Sequence, residues 1–364
     1  MLIPTLDQSG AEKQLTLLAE QLPHDEFEVR VVALTRGGPY AKRLAESGIH
    51  VTVLHKRFRF DPLAYWHVRR LIAQWRPDVL HTWLFAANAY GRLAAGPHAP
   101  FPIIVSERCV DSWKSGWQHW LDRRLAPRTA RLVGNSCSVL EYYAEQGFPR
   151  ERLAVIYNGI DAGISAAFDR DARLAELGLP PEARVVGYVG RLARQKRVAD
   201  LIWALELIRI LQDEVYLVIV GDGPERSRLE QFARDIQIER RVRFLGHRED
   251  AVRLFPLMNV FWLASDFEGL SNSLMEAQAA GIPAVVSNIG PNRELVISGE
   301  TGYVVPVGDR VAFAQYTERL LTDTALAEQM GRAARLRMSQ EFGVRRMVEA
   351  YAALYREVVK SRPN

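Results

Sequence analysis

The sequence predicts an α/β protein made of two doubly wound parallel-sheet domains, and three observations carry that prediction. Short runs of β-branched and apolar residues alternate with helical periodicity from end to end. The strand runs are nearly continuous in apolar residues, the mark of parallel strands covered on both faces. At 364 residues the chain is long for one core, so two domains of about 150 to 180 residues are the default.

After a first short apolar run and the helical stretch LDQSGAEKQLTLLAEQL, strands are expected at 28–34, 49–54, 78–83, 102–107, 130–135 and 153–158, with helices filling the gaps. The pattern restarts at 184–190 and continues at 215–221, 242–246, 260–264 and 283–287. Between the two series lies a polar stretch closed by Pro180-Pro181. The reading is therefore a first domain over 1–165, a linker over 166–183, a second domain over 184–343 and a terminal helix over 344–364. In that helix Val344, Met347, Val348, Tyr351, Leu354, Tyr355 and Val358 form an apolar stripe.

Composition excludes several classes. The longest apolar run, VYLVIV, falls far short of the ~18 residues of a membrane span, and no basic start with an apolar stretch marks a secretory leader. Two cysteines, Cys109 and Cys137, make no disulfide framework, so a cytoplasmic protein is expected. The net charge of +4 is uneven: residues 51–160 hold 15 Lys/Arg against 8 Asp/Glu, while 161–364 hold 27 against 28. An anionic partner for the first domain follows, either a phosphate ligand, a polyprenyl phosphate or an acidic lipid surface. Nucleic acid is not expected, because no zinc finger, RNA-binding signature or basic helix with heptads occurs.

Ligands of open parallel sheets lie beyond the carboxyl ends of the strands, which directs attention to five post-strand stretches. Ser9 and Gly10 open a helix and offer backbone N–H groups to an anion. Gly190 begins GRLARQK, where Arg191 and Lys196 bring positive charge to a phosphate. Gly221 starts a Gly-Asp-Gly-Pro turn. His247 and Arg248 follow Gly246, where a loop can lie along a flat base. The fifth stretch, SDFEGLSNSLMEAQAAG (265–281), sets Glu268 and Glu276 eight positions apart around a helix start.

The ordered set Ser9-Gly10-Ala11-Glu12-Lys13, YNGID (157–161), GRLARQK (190–196), GDGPERSRLE (221–230) and FEGLSNSLMEAQAAGIPAVVS with its E-x7-E resembles glycosyltransferase family 4 over nearly the whole chain. That resemblance implies the GT-B architecture, two Rossmann-like domains facing a cleft with the last helix crossing back to the first, and a retaining transfer from a nucleotide sugar. A diphosphate would lie against the N–H groups of Gly269, Leu270 and Ser271. Glu276, about one turn in from Asn272, would accept from the ribose diol, and Glu268 from the transferred sugar. Arg191 and Lys196 would neutralise the leaving diphosphate. UDP is the expected nucleotide, and the acceptor a sugar or a lipid-linked sugar in cell-surface polysaccharide, lipopolysaccharide or glycolipid synthesis. Two rival readings share the architecture: a nucleotide-sugar 2-epimerase and a non-catalytic sugar-nucleotide binder.

Four finer expectations complete the reading. The pair Asp169-Arg170-Asp171 has the form of a cation-binding DxD but falls in the linker, so no essential metal is predicted. His81, at the end of the run DVLHTW, is a candidate sugar contact, although many relatives carry a second histidine where this chain has Trp83. Ser106, Glu107 and Arg108 also follow a strand and are candidates for the acceptor side. Trp113, Trp117, Trp120, Leu121 and Arg124 follow helical spacing, which suggests either packing or peripheral association with the inner face of an anionic membrane. Family members carry extra residues of first strand before the equivalent of Ile3-Pro4-Thr5, so the expectation is either that residues precede Met1 or that the protein tolerates a short central strand, which would weaken packing beneath the Ser9-Gly10 loop.

Overall fold

The computed structural model describes residues 1–111, 114–161, 168–210, 212 and 214–361. They form two units, Met1–Gly159 with Val344–Asn364, and Ile160–Gly343.

The first unit runs β1 (Leu2–Thr5), α1 (Gly10–Gln21), β2 (Arg30–Arg36), α2 (Gly38–Glu46), β3 (His50–Val53), α3 (Pro62–Trp75), β4 (Leu80–Trp83), α4 (Leu84–Ala95), β5 (Ile103–Glu107), α5 (Gly116–Leu125), β6 (Arg131–Gly134), α6 (Cys137–Glu145) and β7 (Leu153–Val155). Its parallel sheet has the order β3-β2-β1-β4-β5-β6-β7. Alternate strand residues feed two cores, as the period of two requires. Ile3, Val31 and Ala33 join the core of α1, while Leu2, Val32 and Leu34 join that of α3 and α4.

The second unit runs α7 (Arg170–Glu176), β8 (Arg184–Val189), α8 (Val198–Arg209), β9 (Val215–Val220), α9 (Arg226–Asp235), β10 (Val242–Gly246), β11 (Val260–Leu263), α10 (Asn272–Ala279), β12 (Ala284–Ser287), α11 (Gly290–Leu295), β13 (Gly302–Val305), α12 (Arg310–Thr322) and α13 (Thr324–Glu341). Its parallel sheet is ordered β10-β9-β8-β11-β12-β13. The last helix, α14 (Val344–Lys360), belongs to the first unit and buries all seven residues of its apolar stripe.

Three expectations are corrected. The first concerns 166–183: its described part is not a bare linker but carries α7, which Asp169 caps by accepting from the Ala172 N–H at 3.0 Å. Arg170 donates to the carbonyls of Leu257 (2.6 Å) and Ala183 (2.8 Å), and Leu174, Leu177 and Leu179 are buried. Seven residues were too few to show helical periodicity. The first unit accordingly closes earlier than 165, at Gly159, whose N–H and carbonyl both pair with the Gln14 side chain. A Cβ on Gly159 would meet the Val344 Cα at 2.7 Å, which holds that position to glycine.

The second correction is β13, which lies outside every strand expected from the sequence. Gly302 (φ 153°) opens it, and a Cβ there would lie 2.2 Å from the Ala284 carbonyl oxygen. The third concerns β1. The strand is short, but Ile3 and Leu6 beneath the Ser9-Gly10 loop are fully buried. Open space lies at the opposite end, a cavity of about 560 Å³ where the amino-terminal ends of β1, β2 and β4 meet Trp75 and Tyr355.

Candidate active site

In the second unit the chain winds outward from β8 to β9 and β10, then returns to the other side of β8 as β11. The switch point between β8 and β11 is where an open sheet leaves a crevice for a ligand. The loops that follow these two strands carry the predicted cluster.

After β8 the backbone turns through Gly190, whose N–H donates to the Val220 carbonyl at 2.9 Å. Gly221 (φ 134°) leaves β9 against it, and a Cβ there would stand 2.0 Å from the Gly190 oxygen. These two glycines therefore let the loops pass each other. The Tyr188 hydroxyl, on a fully buried ring, holds the turn by donating to the Arg191 carbonyl at 3.0 Å. Burial, and after it the carboxylate of Glu268, keeps that phenol protonated. Arg191 itself is exposed.

Lys196 and Glu268 meet across the switch point as an ion pair with little solvent access. The Glu268 carboxylate also accepts from the Ser265 hydroxyl at 2.7 Å. Ser265 is fixed in turn, its carbonyl accepting from Ser287 at 2.7 Å. The Asp266 N–H donates to the Gln195 carbonyl at 2.9 Å, and Arg197 bridges Asp266 at 3.1 Å and Asp200 at 2.6 Å. The two loops are thus sewn together by charge and backbone. Ser265, Asp266, Gln195 and Arg197 were missed in the sequence, where nothing links residues some 70 positions apart.

Gly269, Leu270 and Ser271 are buried immediately before α10, and Ser271 is its N-cap, accepting from Leu274 N–H at 3.4 Å. Glu276 stands in the second turn of that helix, 8% exposed. A carboxylate, a lysine and a helix start with its positive dipole end are thereby concentrated at one strand junction, an arrangement suited to an anion flanked by hydroxyl groups.

The other predicted residues belong to other elements of the two units. His247 is exposed, and Arg248 forks onto Asp250 (2.8 Å) and reaches Glu176 (3.2 Å) beyond the edge strand β10. Ser9 and Gly10 open α1 in the first unit, where the Ser9 hydroxyl donates to Glu12 and Thr5 donates to the same carboxylate at 2.8 Å. His81 sits inside β4 rather than at its exposed end. Both ring nitrogens have partners, the Tyr355 hydroxyl at 2.6 Å and the Ser106 hydroxyl at 2.8 Å. Burial, followed by the positive charges of the amino terminus and Arg108, holds the imidazole neutral. Its place is the aromatic core under α14.

Glu107, at the carboxyl end of β5, is buried with Lys114 and Asp111, and the half-buried Asp122 also pairs with Lys114. Burial raises its carboxyl to about 7, opposed by Lys114 and reinforced by the two aspartates. Asn88 donates to it at 3.0 Å. Arg108 lies over the Trp83 ring at 4.6 Å and bonds Asn158. These three post-strand residues are core groups of the first unit.

A family profile described as glycosyltransferase family 4 matches residues 8–163, and one described as glycosyl transferases group 1 matches 169–337. The lipopolysaccharide core biosynthesis glycosyltransferase LpsE of Rhizobium meliloti is 30% identical over 355 residues, 95% of each chain. A UDP-Gal:α-D-GlcNAc-diphosphoundecaprenol α-1,3-galactosyltransferase of Escherichia coli is 27% identical over 99% of this chain and 96% of its own. The HepE protein of Anabaena, solved in complex with UDP-glucose, superposes with a TM-score of 0.86 at 25% identity, over 98% of this chain and all of HepE. With two Rossmann-like sheets, the motifs in order and these matches along its length, the chain belongs to glycosyltransferase family 4 and has the GT-B architecture.

Proposed function

We propose that the protein transfers a hexose from a UDP-sugar to an acceptor hydroxyl with retention of anomeric configuration, in the assembly of a cell-surface polysaccharide, lipopolysaccharide or glycolipid. The observation that carries this reading is the meeting of Lys196 and Glu268 at the switch point of the second sheet, next to the start of α10. Lys196 and Arg191 neutralise the diphosphate, and the N–H groups of Gly269, Leu270 and Ser271 hold it. Glu276 accepts from the ribose and Glu268 from the hexose, which it reaches by exchanging its bond to Lys196 for one to a sugar hydroxyl. The acceptor oxygen bonds to the anomeric carbon as the bond to the diphosphate breaks on the same face. The acceptor proton passes to the departing phosphate oxygen.

UDP is favoured because HepE was solved with UDP-glucose and the E. coli relative is named for UDP-galactose. A sugar carried on a lipid diphosphate is the favoured acceptor on the same relative's name, and with such an acceptor the enzyme would work at the inner face of a membrane as a peripheral protein. No metal is assigned a part: Asp169 is committed to capping α7, and Arg191, Lys196 and the helix start supply the positive potential. Incubation with UDP-glucose and UDP-galactose, followed by proton NMR of the product, tests the reaction. An α-linked product formed equally in EDTA supports the reading; a β-linked product, or transfer that EDTA abolishes and magnesium or manganese restores, contradicts it.

A further inference from the structure

The segment from Lys56 into α3 carries the most exposed apolar surface of the described first unit. Phe58, Phe60, Leu63 and Trp66 are 68, 67, 69 and 61% exposed, and Trp120 on α5 is 60% exposed. They belong to one surface, since the Phe60 ring meets Trp117 edge-on at 5.7 Å and Arg59 lies over that indole at 4.6 Å. Trp117 stands one turn before Trp120 on the same helix. The inward side of α3 is satisfied elsewhere, with Ala64 and Val68 buried in the core. Several large apolar side chains held in water by one surface call for a partner.

Charge says which one. Residues 56–76 hold six Lys/Arg (56, 57, 59, 69, 70 and 76) against the single acid Asp61. Asp61 is buried and occupied by the N–H groups of Arg57, Leu63 and Ala64. Arg69 and Arg70 are exposed on α3, as are Arg123 and Arg124 on α5. Aromatic side chains ringed by arginine, with acids withdrawn, match the boundary between acyl chains and anionic headgroups. The β3–α3 loop follows the carboxyl end of β3, the same edge of the first sheet on which the Ser9-Gly10 loop opens.

We propose that this face, built on Phe58, Phe60, Leu63, Trp66 and Trp120, docks the protein onto an anionic bilayer with the acceptor-side edge of the first sheet toward the lipid. The proposal names the surface for the membrane-borne acceptor assigned above, and rests on that reading for its purpose. Of the helical stripe Trp113, Trp117, Trp120, Leu121 and Arg124, for which packing and membrane contact are the two expectations, Trp113 lies outside the described residues and Trp117 is half-buried, and most of the exposed area comes from the preceding loop and α3.

Flotation of the full chain with phosphatidylglycerol vesicles and with neutral phosphatidylcholine vesicles tests it, alongside the UDP-induced rise in melting temperature of each variant. Wild type floats with the anionic vesicles only, and less so as salt rises. Arg69→Gln with Arg70→Gln lowers the partition coefficient about 10- to 30-fold, at roughly 1 kcal/mol per basic residue. Phe58→Ser with Trp66→Ser abolishes flotation, while both variants keep the UDP response. Wild type that never floats, variants that float equally, or a concentration-dependent dimer removed by Phe58→Ser with Trp66→Ser and no vesicle binding would each overturn the proposal. A UDP response that persists without flotation removes the docking surface alone, whereas flotation without a UDP response removes the donor reading alone.

Discussion

In the proposed reaction the chemistry turns on Lys196 and Glu268, whose ion pair would be the state in which the site waits for its substrate. A cation and a carboxylate with little access to water must compensate each other when no diphosphate is present. Removing either one leaves the other uncompensated, so the two substitutions should have different signatures. Lys196→Ala should lower the transfer rate by about 10²- to 10³-fold and weaken UDP binding if, as proposed, the cation faces the leaving group. Glu268→Gln should lower transfer by a similar factor yet leave UDP affinity unchanged or improved, since Lys196 is then free for phosphate. Titration calorimetry with UDP separates the two. Equal losses of UDP affinity in both variants would assign the pair a structural role. The pairing was not legible in the sequence: each residue belonged to a recognisable motif, but 72 positions separate them, and only the adjacency of β8 and β11 joins them.

At the scale of elements, legibility followed length and period. The stripe of α14 and the fully apolar β9 could be read directly, because seventeen and six residues show their periodicity clearly. The seven residues of α7 and the four of β13 could not, and there the decisive signals were an N-cap and a glycine packed against a carbonyl. At His81, too, the sequence shows only a histidine near a strand end, and its partner, the Tyr355 hydroxyl, comes from a helix 274 residues away. Tyr355→Phe should destabilise the protein by about 1–3 kcal/mol, the cost of a buried polar atom left without its partner, and leave UDP affinity unchanged. A large fall in UDP affinity would return His81 to the donor site.

The cluster around β5 and α5 gives a pH signature of its own. Glu107 is raised from 4.5 to about 7 by burial, so the folded protein binds a proton there that the unfolded chain has released above pH 4.5. That contribution is fully present below about pH 4.5 and is lost as pH rises through about 7, up to roughly 3 kcal/mol. Denaturant melts of wild type and Glu107→Gln across pH 5 to 8.5 should therefore show wild type losing stability relative to the variant as pH rises. Parallel curves would mean that Lys114 keeps the carboxylate ionised throughout.

For the whole molecule, the two Rossmann-like units and their order were readable from alternation alone, and the family from five motifs in sequence. Which surface is wet was not readable, since FRFDPLAYWH suits a buried face as well as an exposed one and only packing decides. A saturating nucleotide at 100 times its dissociation constant should add about 2.7 kcal/mol of stability. UDP should produce that rise, with ADP and GDP giving little; a preference for either would change the donor while leaving the site in place.

In the proposed reaction the switch point of the second sheet holds the nucleotide diphosphate. A crystal structure of the protein soaked in UDP tests it most directly. The β-phosphate is expected against the backbone of Gly269, Leu270 and Ser271 and within reach of Lys196, with Glu276 accepting from both ribose hydroxyls. UDP bound elsewhere, with the ribose remote from Glu276, would contradict it.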